Sequence, residues 1–393
     1  MRIVKFIGKG CYSLVYEAHF KERDGESEPY AFKRFFLQNP AAVTCALREH
    51  QILLRLALDT YQSPFLPTLY YSSRIFGSPA MVLRMGSGFD LFDLLYNGCL
   101  NEHAGRFYTS EIICGLEYLH SRKIIHLDLK PENILLSHSG HIFITDFDRS
   151  YDVHSHLSGP ERSDFCGTAL FMAPEIANRK EITPKADVWS LAVIMAEIVC
   201  GPIRPSPRDI HQDFSWAKEG RYNIKNMRML TKALQSFFRA CLKVNYKERP
   251  DIFGVKNLRF YKQVKWDDVV SLKLKPPINP ADLKSESFQN EYNLDPYDSL
   301  LLSAAYGRSM PSINKCLQTT VDNNNTRCLV SVPPNNALLE EFGLTHEKID
   351  KLFASFYFSN PIFRFGSKLD RLQENDTNVL RSPSEDDALP NAN

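Results

Sequence analysis

Two motifs between His126 and Asp148 carry most of the information about this chain: HLDLKPEN at residues 126–133 and TDFD at residues 145–148. Two apolar runs, at residues 134–136 and 141–144, lie between these motifs and predict short strands joined by a turn. The stretch therefore predicts a loop and a hairpin that together present two carboxylates, a lysine and an amide. These four side chains are Asp128, Asp146, Lys130 and Asn133.

This set of side chains is the one that transfer of a phosphoryl group requires. Such transfer asks for little covalent chemistry from a protein, so positioning and charge neutralisation carry the catalysis. We expect Asp128 to orient a substrate hydroxyl and accept its proton, and Lys130 to face the charge that develops on the γ-phosphate. Asn133 and Asp146 are the expected ligands of Mg²⁺ on the phosphates.

The motifs resemble those of the eukaryotic protein kinases, and the Lys-Pro-Glu-Asn form of residues 130–133 resembles the serine/threonine branch. The resemblance implies the α+β class and a bilobal protein kinase fold. Its small antiparallel β lobe with one helix would occupy about residues 1–83, and its larger, mostly helical lobe about residues 87–261. The resemblance also implies ATP between the lobes, Mg²⁺ as its metal, and protein substrates that bear Ser or Thr.

Two functions are consistent with these motifs: a serine/threonine kinase in intracellular signalling, or an ATP-binding pseudokinase that acts as a scaffold or allosteric partner. The second is favoured by departures from the family pattern, with Leu127 in place of arginine and Asp148 in place of glycine. The first is favoured because every group with a direct chemical role is present. Asp148 would either tighten metal binding or misplace the metal, and glycine there permits a backbone geometry that aspartate tolerates less well.

Bulk composition sets wide limits. The 393 residues, 44% of them hydrophobic, allow a sizeable core, and a net charge of +1 gives no electrostatic case for nucleic acid as a partner. Nine cysteines without a C-x-x-C pair predict reduced thiols, and therefore the cytoplasm, with the nucleus as a second compartment. The longest apolar run, residues 191–200, is too short to span a bilayer, so we expect no membrane span. No pattern indicates an oligomeric state.

The stretch IGKGCYSLV at residues 7–15 resembles the glycine-rich nucleotide loop G-x-G-x-x-G-x-V, with Ser13 in place of the third glycine. Gly8 and Gly10 would let the backbone approach phosphates, although a glycine pair by itself equally predicts an ordinary hairpin turn. The nucleotide contacts implied here are Ile7, Gly8, Lys9, Gly10, Cys11, Tyr12, Ser13, Leu14 and Val15.

Ala31-Phe32-Lys33 resembles the V-A-I-K strand of the family. The resemblance implies that Lys33 contacts the α- and β-phosphates and pairs with Glu49 on a helix predicted over residues 41–58, where Arg55 is expected to face solvent. In isolation, either charge of this pair would predict a solvated surface residue. The other implied nucleotide contacts are Ala31, Leu83 as gatekeeper, Arg84 and Gly86 at the hinge, Asp90 at the ribose, and Leu135.

Residues 164–175, DFCGTALFMAPE, resemble the end of a kinase activation segment. The resemblance places Thr168 beside the catalytic loop as a further catalytic residue, and pairs Glu175 with Arg249. It also assigns Asp187 to hold the backbone of the catalytic loop.

The segments after the catalytic motifs resemble the AGC branch of the kinases, in which a C-terminal tail carries a hydrophobic motif, F-x-x-F-S/T-F/Y, that docks onto the small lobe. We therefore predict a catalytic domain at residues 1–261, an AGC-like tail at residues 262–368, and a polar, acidic and disordered tail at residues 369–393. The matching segments are FCGT at residues 165–168, KPPINP at residues 275–280, Ser287, Phe288, Tyr292, and FASFYF at residues 353–358.

Three replacements bear on regulation. In AGC kinases a phosphorylated threonine precedes the FCGT string and is bound by an arginine beside the catalytic aspartate; here Asp164 and Leu127 stand at those positions. The acceptor of the hydrophobic motif is replaced by Tyr357. Because the acceptor and its charge partner are missing together, we predict that activity does not depend on the usual phosphorylation switch.

Overall fold

The computed structural model describes residues 2–20, 29–75, 78–96, 98–155, 159–201, 203, 210–222, 224–283, 320–321, 327–328 and 336–361. The chain forms two compact units. The sheet unit comprises Met1–His50, Leu69–Arg84 and Asn290–Asn393, and the helical unit comprises Gln51–Thr68 and Met85–Gln289, each as far as it is described. The predictions for Ser287, Phe288, Tyr292 and residues 369–393 lie outside the described residues.

Most strands of the described residues lie in the first 152 residues, and most helices follow them. The strands, in chain order, are β1 (Arg2–Lys9), β2 (Ser13–His19), β3 (Pro29–Phe35), β4 (Leu69–Ile75), β5 (Ser78–Arg84), β6 (Ile124–Ile125), β7 (Ile134–Leu136), β8 (Ile142–Ile144), β9 (Tyr151–Asp152), β10 (Thr320–Val321), β11 (Arg327–Cys328) and β12 (Phe358–Ser359). The α-helices are α1 (Pro40–Ala57), α2 (Leu91–Tyr96), α3 (Glu102–Ser121), α4 (Pro174–Ala177), α5 (Lys185–Cys200), α6 (Ile210–Glu219), α7 (Lys232–Cys241), α8 (Ile252–Lys256), α9 (Trp266–Val270), α10 (Asn336–Glu341) and α11 (His346–Leu352). Single 3-10 turns lie at Pro131–Asn133, Arg162–Asp164, Ala169–Phe171, Met227–Met229, Tyr246–Glu248, Arg259–Tyr261 and Pro280–Asp282.

The sheet unit is built on a six-stranded antiparallel sheet with the strand order β1-β2-β3-β5-β4-β12. Successive side chains of a strand point to opposite faces, and β2 accordingly buries every second residue, Leu14, Tyr16 and Ala18. Phe32 of β3 and Val82 of β5 extend the same core. This unit confirms the predicted antiparallel sheet.

The helical unit is centred on α3 and α5. Thirteen of the sixteen residues of α5 are buried, which makes it a core helix rather than a surface helix. Helix α3 begins after Asn101, whose side chain accepts a hydrogen bond from the backbone N–H of Ala104. The two units together confirm the predicted α+β class. Among the described helices, none has both the length and the apolar character needed to cross a membrane.

The hairpin of β7 and β8 positions the motif residues that flank it. Ile134 pairs with Ile144, and Leu136 pairs with Ile142, so the two strands are antiparallel and short. The backbone N–H of Thr145 then donates to the carbonyl of Asn133 at 2.9 Å. This hydrogen bond closes the hairpin base and brings the end of the catalytic loop beside the TDFD motif.

The start of the predicted tail packs on the helical unit near Gly140, at the turn between β7 and β8. Gly140 has a φ of +88°, and a Cβ there would lie 2.6 Å from the carbonyl oxygen of Ile278 and 3.0 Å from Cβ of Pro276. The turn therefore requires glycine both for its backbone conformation and for the close approach of the proline-rich segment.

We expect Gly140→Ala to lower the unfolding free energy by about 1–3 kcal/mol more than Gly159→Ala does. Gly159 has the same φ of +88°, but its Cβ would meet no described atom within 4 Å, so the control carries the backbone strain alone. Chemical denaturation measures the difference, and limited proteolysis should show earlier cleavage near Ile278 in the first variant only. Equal behaviour of the two variants would mean that the proline-rich segment does not depend on this contact.

Candidate active site

The catalytic loop is held by Asp187 at the start of α5. One carboxylate oxygen accepts the backbone N–H of His126 and the other accepts that of Leu127, both at 2.9 Å. His120 lies 2.8 Å from the same carboxylate. Burial works to raise the pKa of Asp187, but the hydrogen bond to His120 and the electrostatic interaction with that ring outweigh burial and hold the pKa below its ordinary value. The predicted role of Asp187 as an anchor of this loop is confirmed.

Leu127 is a buried residue with a φ of +63°, a conformation that costs energy for a residue with a Cβ. Its carbonyl oxygen lies close to Gly167 of the activation segment, where a Cβ would be only 2.5 Å away. The side chain is 4% exposed and carries no charge, so residue 127 itself offers no cation to a phosphate.

Asp128 is fixed by Thr168. The carboxylate oxygen Oδ1 of Asp128 accepts the backbone N–H and the hydroxyl of Thr168, each at 2.7 Å. Near Oδ2 lie Nζ of Lys130 at 3.4 Å and Nε of Arg149 at 3.9 Å. Lys130 also donates to the Thr168 hydroxyl at 3.4 Å. The structure therefore brings three predicted catalytic residues together and adds Arg149, which the sequence analysis missed because the motif has no role for the residue after TDFD.

The predicted metal ligands flank the hairpin. The amide nitrogen of Asn133 donates to the carbonyl of Asp128 at 2.8 Å, which directs the amide oxygen away from the loop backbone. Asp146 has a φ of +69°. The carbonyl oxygen of the preceding residue, Thr145, forms a hydrogen bond with ring nitrogen Nε2 of His126 at 3.0 Å. No cluster of three or more His, Cys, Asp or Glu side chains able to hold a metal occurs among the described residues. An amide and a carboxylate fit Mg²⁺, which uses few protein ligands and relies on phosphates and water for the others.

Asp148 does not have a positive φ, so the expected backbone strain of an aspartate at this position does not arise. The positive φ lies two residues earlier, at Asp146. Asp148 is 9% exposed, so this residue is buried.

The predicted ion pair of the sheet unit is present. Nζ of Lys33 lies 2.8 Å and 2.7 Å from the two carboxylate oxygens of Glu49, and both side chains are buried. These residues are therefore not the solvated surface charges that each would predict in isolation. Lys33 faces Val15 across β2 and β3, so the register of the sheet sets it opposite the end of the glycine-containing turn.

The stretch of residues 7–15 comprises the end of β1, the turn at residues 10–12 and the start of β2. Gly8 pairs with Val15, Lys9 pairs with Leu14, and the N–H of Gly10 donates to the carbonyl of Ser13 at 2.9 Å. A Cβ on Gly10 would approach Oγ of Ser13 to 2.7 Å, so a larger residue here would require the Ser13 side chain to rotate. Of the other residues in this turn, Cys11 is exposed, Ile7 is half-buried, and Tyr12 accepts a backbone hydrogen bond from Phe36.

The remaining predicted nucleotide contacts occupy two places. In the sheet unit, Ala31 pairs with Leu83, which is buried, and Arg84 follows at the end of β5. In the helical unit, a Cβ on Gly86 would lie 3.0 Å from the carbonyl of Leu136, so the chain passes close to β7. Leu135 of β7 forms an isolated bridge with Asp90.

Asp90 precedes α2 and forms two reciprocal hydrogen bonds with Asp93 in the first turn of that helix. Each carboxylate accepts the backbone N–H of the other residue at 2.9 Å. Burial, followed by the charge of Asp93, raises the pKa of Asp90 to about 7. Asp90 therefore titrates near neutral pH.

Asp164 stands where AGC kinases carry a phosphothreonine, and it is buried. Its carboxylate accepts the backbone N–H of Glu161 at 2.8 Å and closes the turn Arg162–Asp164. The carboxylate therefore serves the local backbone of the activation segment.

The predicted pair of Glu175 and Arg249 is present and enclosed. Nη1 and Nη2 of Arg249 donate to the two carboxylate oxygens at 2.7 Å and 3.0 Å. Arg249 also donates to the backbone carbonyls of Lys185 and Lys243, and its guanidinium lies 5.1 Å from the ring centre of Trp189.

The hydrophobic motif packs within the sheet unit. The ring of Phe356 stacks on His50 with 3.9 Å between centroids, and its carbonyl accepts the hydroxyl of Ser72 at 2.8 Å. Strand β12 then pairs with β4. Tyr357, at the acceptor position, is 43% exposed and meets Tyr71 edge to face at 5.7 Å. The segment is therefore docked by an aromatic stack and strand pairing.

The buried ring of His50 should make the stability of the folded chain depend on pH. Burial lowers its pKa to about 4, against the opposite effect of the Phe356 carbonyl. Between about pH 6.5 and 4 the unfolded chain binds a proton at this histidine and the folded chain does not, so stability should fall as the pH falls through this range. We expect a loss of up to about 3 kcal/mol.

Denaturation between pH 7 and 4.5, with His50→Gln as the control, isolates this effect. The control lacks the titrating ring, so its stability should fall less steeply with falling pH. The same pH dependence in both proteins would contradict the assignment.

The chain belongs to the protein kinase family: the family model described as protein kinase domain matches residues 1–261. This membership agrees with the loop, hairpin and antiparallel sheet described above.

Among curated proteins, the chain is 31% identical over 287 residues to ribosomal protein S6 kinase alpha-1 of Rattus norvegicus, an alignment that covers 71% of this chain and 38% of the relative. It is 31% identical over 299 residues to serine/threonine-protein kinase sck1 of Schizosaccharomyces pombe, covering 74% of this chain and 42% of the relative. It is 30% identical over 314 residues to human RAC-beta serine/threonine-protein kinase, covering 76% and 63%. The chain spans about two fifths of the length of the S6 kinases. These relatives fit the predicted divergent AGC kinase.

Proposed function

We propose that this chain is a serine/threonine protein kinase that transfers the γ-phosphate of ATP to Ser and Thr hydroxyls of proteins. The observation that carries the proposal is the Asp128 carboxylate, held through one oxygen by two hydrogen bonds from Thr168, with Lys130 beside its other oxygen. A fixed carboxylate next to a lysine is the arrangement that phosphoryl transfer to a hydroxyl needs.

In this mechanism the oxygen of the substrate hydroxyl attacks the γ-phosphorus of ATP, the bond from that phosphorus to the β-phosphate oxygen breaks, and ADP leaves. Asp128 accepts the proton of the hydroxyl. Thr168 occupies Oδ1, so the carboxylate cannot rotate away from the loop. Lys130 neutralises charge on the transferred group, because its ammonium lies on the same side of the loop as the carboxylate. Asn133 and Asp146 would hold Mg²⁺, which supplies neutralisation of phosphate charge.

For ATP we propose the contacts that the family pattern implies, with Lys33 held by Glu49 as the phosphate-binding cation.

The catalytic domain would span residues 1–261, and an AGC-like tail would span residues 262–368. Support for the tail comes from the packing of residues 276–280 beside Gly140 and of residues 353–358 on His50. We also propose a cytoplasmic location, with the nucleus as a second compartment, supported by free thiols at the cysteines of the described residues. No observation in the described part of the chain favours the scaffold alternative.

The test is transfer of ³²P from magnesium [γ-³²P]ATP to separate peptide libraries in which the acceptor is Ser, Thr or Tyr. The matched control is Lys33→Met, which removes one ammonium that the structure pairs with Glu49. We expect labelled Ser and Thr peptides with the unmodified chain and none above background with the control. Binding of ATP without any transfer would instead establish the scaffold function. Labelling of the Tyr peptides alone would contradict the proposal that Ser and Thr are the phosphate acceptors.

A further inference from the structure

We propose that Arg55 is a positioning residue for phosphoryl transfer, which fixes the start of the activation segment through Asp152 without a phosphate. The inference rests on the proposed kinase function and concerns the control of its active site. It replaces the expectation that Arg55 faces solvent.

Arg55 lies in the last turn of α1 and binds both carboxylate oxygens of Asp152. Its Nη1 lies 2.7 Å from each oxygen. Its second terminal nitrogen, Nη2, donates to the backbone carbonyl of Arg122. One guanidinium thus bridges a side chain and the backbone just before β6, and Asp152 itself is only 9% exposed.

The bridge reaches the two segments that flank the active site. Asp152 lies in β9, six residues after Asp146, and pairs with Ile124 of β6. Strand β6 leads directly into His126 and the catalytic loop. The N–H of Val153 donates to the carbonyl of Lys123 at 3.1 Å, and Asp152 also accepts the N–H of His154 at 3.0 Å. Arg55 therefore holds the segment that follows Asp146 against the segment that precedes the catalytic loop.

Residues 127 and 164, where the family uses an arginine and a phosphothreonine, carry neither in this chain. Leu127 replaces the arginine that would bind the phosphate, and it is buried. Asp164 replaces the phosphorylated residue, and its carboxylate closes a local turn. The pair of Arg55 and Asp152 joins a helix to the activation segment with charges that are permanent, so the segment needs no modification to be held.

The expected consequence is on catalysis more than on stability. Arg55 is 33% exposed whereas Asp152 is 9% exposed, so the ion pair is only partly enclosed and its loss should cost the folded state less than the loss of a fully buried pair. A displacement of about 1 Å in a catalytic group, in contrast, is enough to reduce a rate about a hundredfold.

The experiment compares kcat and KM for ATP in Arg55→Ala, Arg55→Lys, Asp152→Asn and the double variant of Arg55→Ala with Asp152→Asn. The matched control is Lys256→Ala, which breaks another two-oxygen ion pair, with Glu117 at 2.9 Å and 2.8 Å, between α8 and α3. We expect about a tenfold or larger loss of kcat in Arg55→Ala, with KM for ATP changed less than about twofold. Arg55→Lys should recover part of the loss, and the double variant should be no slower than the slower single variant, because the two residues act as one unit.

Two further readouts separate a positioning role from a structural one. Hydrogen exchange should rise at the amides of Ser150 and Val153 in Arg55→Ala and remain unchanged in Lys256→Ala, while thermal unfolding of both variants stays close to that of the parent chain. Phosphatase treatment of the parent chain should leave kcat unchanged. Loss of activity on this treatment, explained by a phosphosite within residues 149–168, would overturn the proposal.

The other outcomes are equally decisive. If the parent chain transfers phosphate and Arg55→Ala matches it in kcat, or if single losses multiply in the double variant, the positioning role is wrong and the kinase function stands. If the parent chain transfers no phosphate, the kinase function itself is wrong, and with it the role of Arg55 in transfer.

Discussion

Asp128→Asn is expected to lower kcat for peptide phosphorylation by about 10²–10⁴-fold, while KM for ATP changes little. Asparagine keeps an oxygen that can accept the two hydrogen bonds from Thr168, so the loop should retain its geometry. It cannot take the proton of the substrate hydroxyl at neutral pH. The loss therefore measures proton acceptance and hydroxyl orientation rather than collapse of the loop.

The matched control for this prediction is Thr168→Ser. Serine preserves the hydroxyl and the backbone N–H that bind Asp128, so most of kcat should remain. Circular dichroism and thermal unfolding of both variants should match the parent chain. If Asp128→Asn retained more than about a tenth of kcat, proton acceptance would have to be assigned to another group.

Arg249→Ala should lower the free energy of unfolding by about 3–5 kcal/mol. Removal of the guanidinium leaves the buried carboxylate of Glu175 without its cation and leaves the carbonyls of Lys185 and Lys243 without a donor. Two buried charges that compensate each other are tolerated, whereas one uncompensated buried charge is costly. Denaturation by urea measures the change.

Lys243→Ala is the control for Arg249→Ala. Lys243 pairs with Glu248 at 3.3 Å, but the two side chains are 48% and 56% exposed, so its loss should cost less than about 1 kcal/mol. A similar cost for both variants would mean that enclosure of the pair of Glu175 and Arg249 does not determine its contribution.

Most of the active-site prediction followed from local order along the chain. Asp128, Lys130 and Asn133 lie within one loop, and the hairpin that separates them from Asp146 contains only short strands, so few backbone arrangements are compatible with their spacing. Periodicity also predicted a helix over residues 41–58, and the structure has α1 at Pro40–Ala57.

Other features could not be derived from local patterns. The role of Arg55 depends on Asp152, which lies 97 residues further along the chain, and that of His50 depends on Phe356, which lies in the C-terminal part. From the sequence, Arg55 was expected to face solvent. Helical periodicity shows which residues share a face of a helix, but it carries no information on what packs against that face.

The amino-acid sequence by itself determined the family, the α+β class and the residues able to carry phosphoryl transfer, because these depend on residue types at short, fixed spacings. The folded structure was needed to show that the buried carboxylate of Asp164 closes a local turn, that Asp148 carries no positive φ, and that Arg149 approaches Asp128. Residue types at fixed spacings do not set these features, since burial, backbone angles and the direction of a side chain are fixed only when the chain has folded.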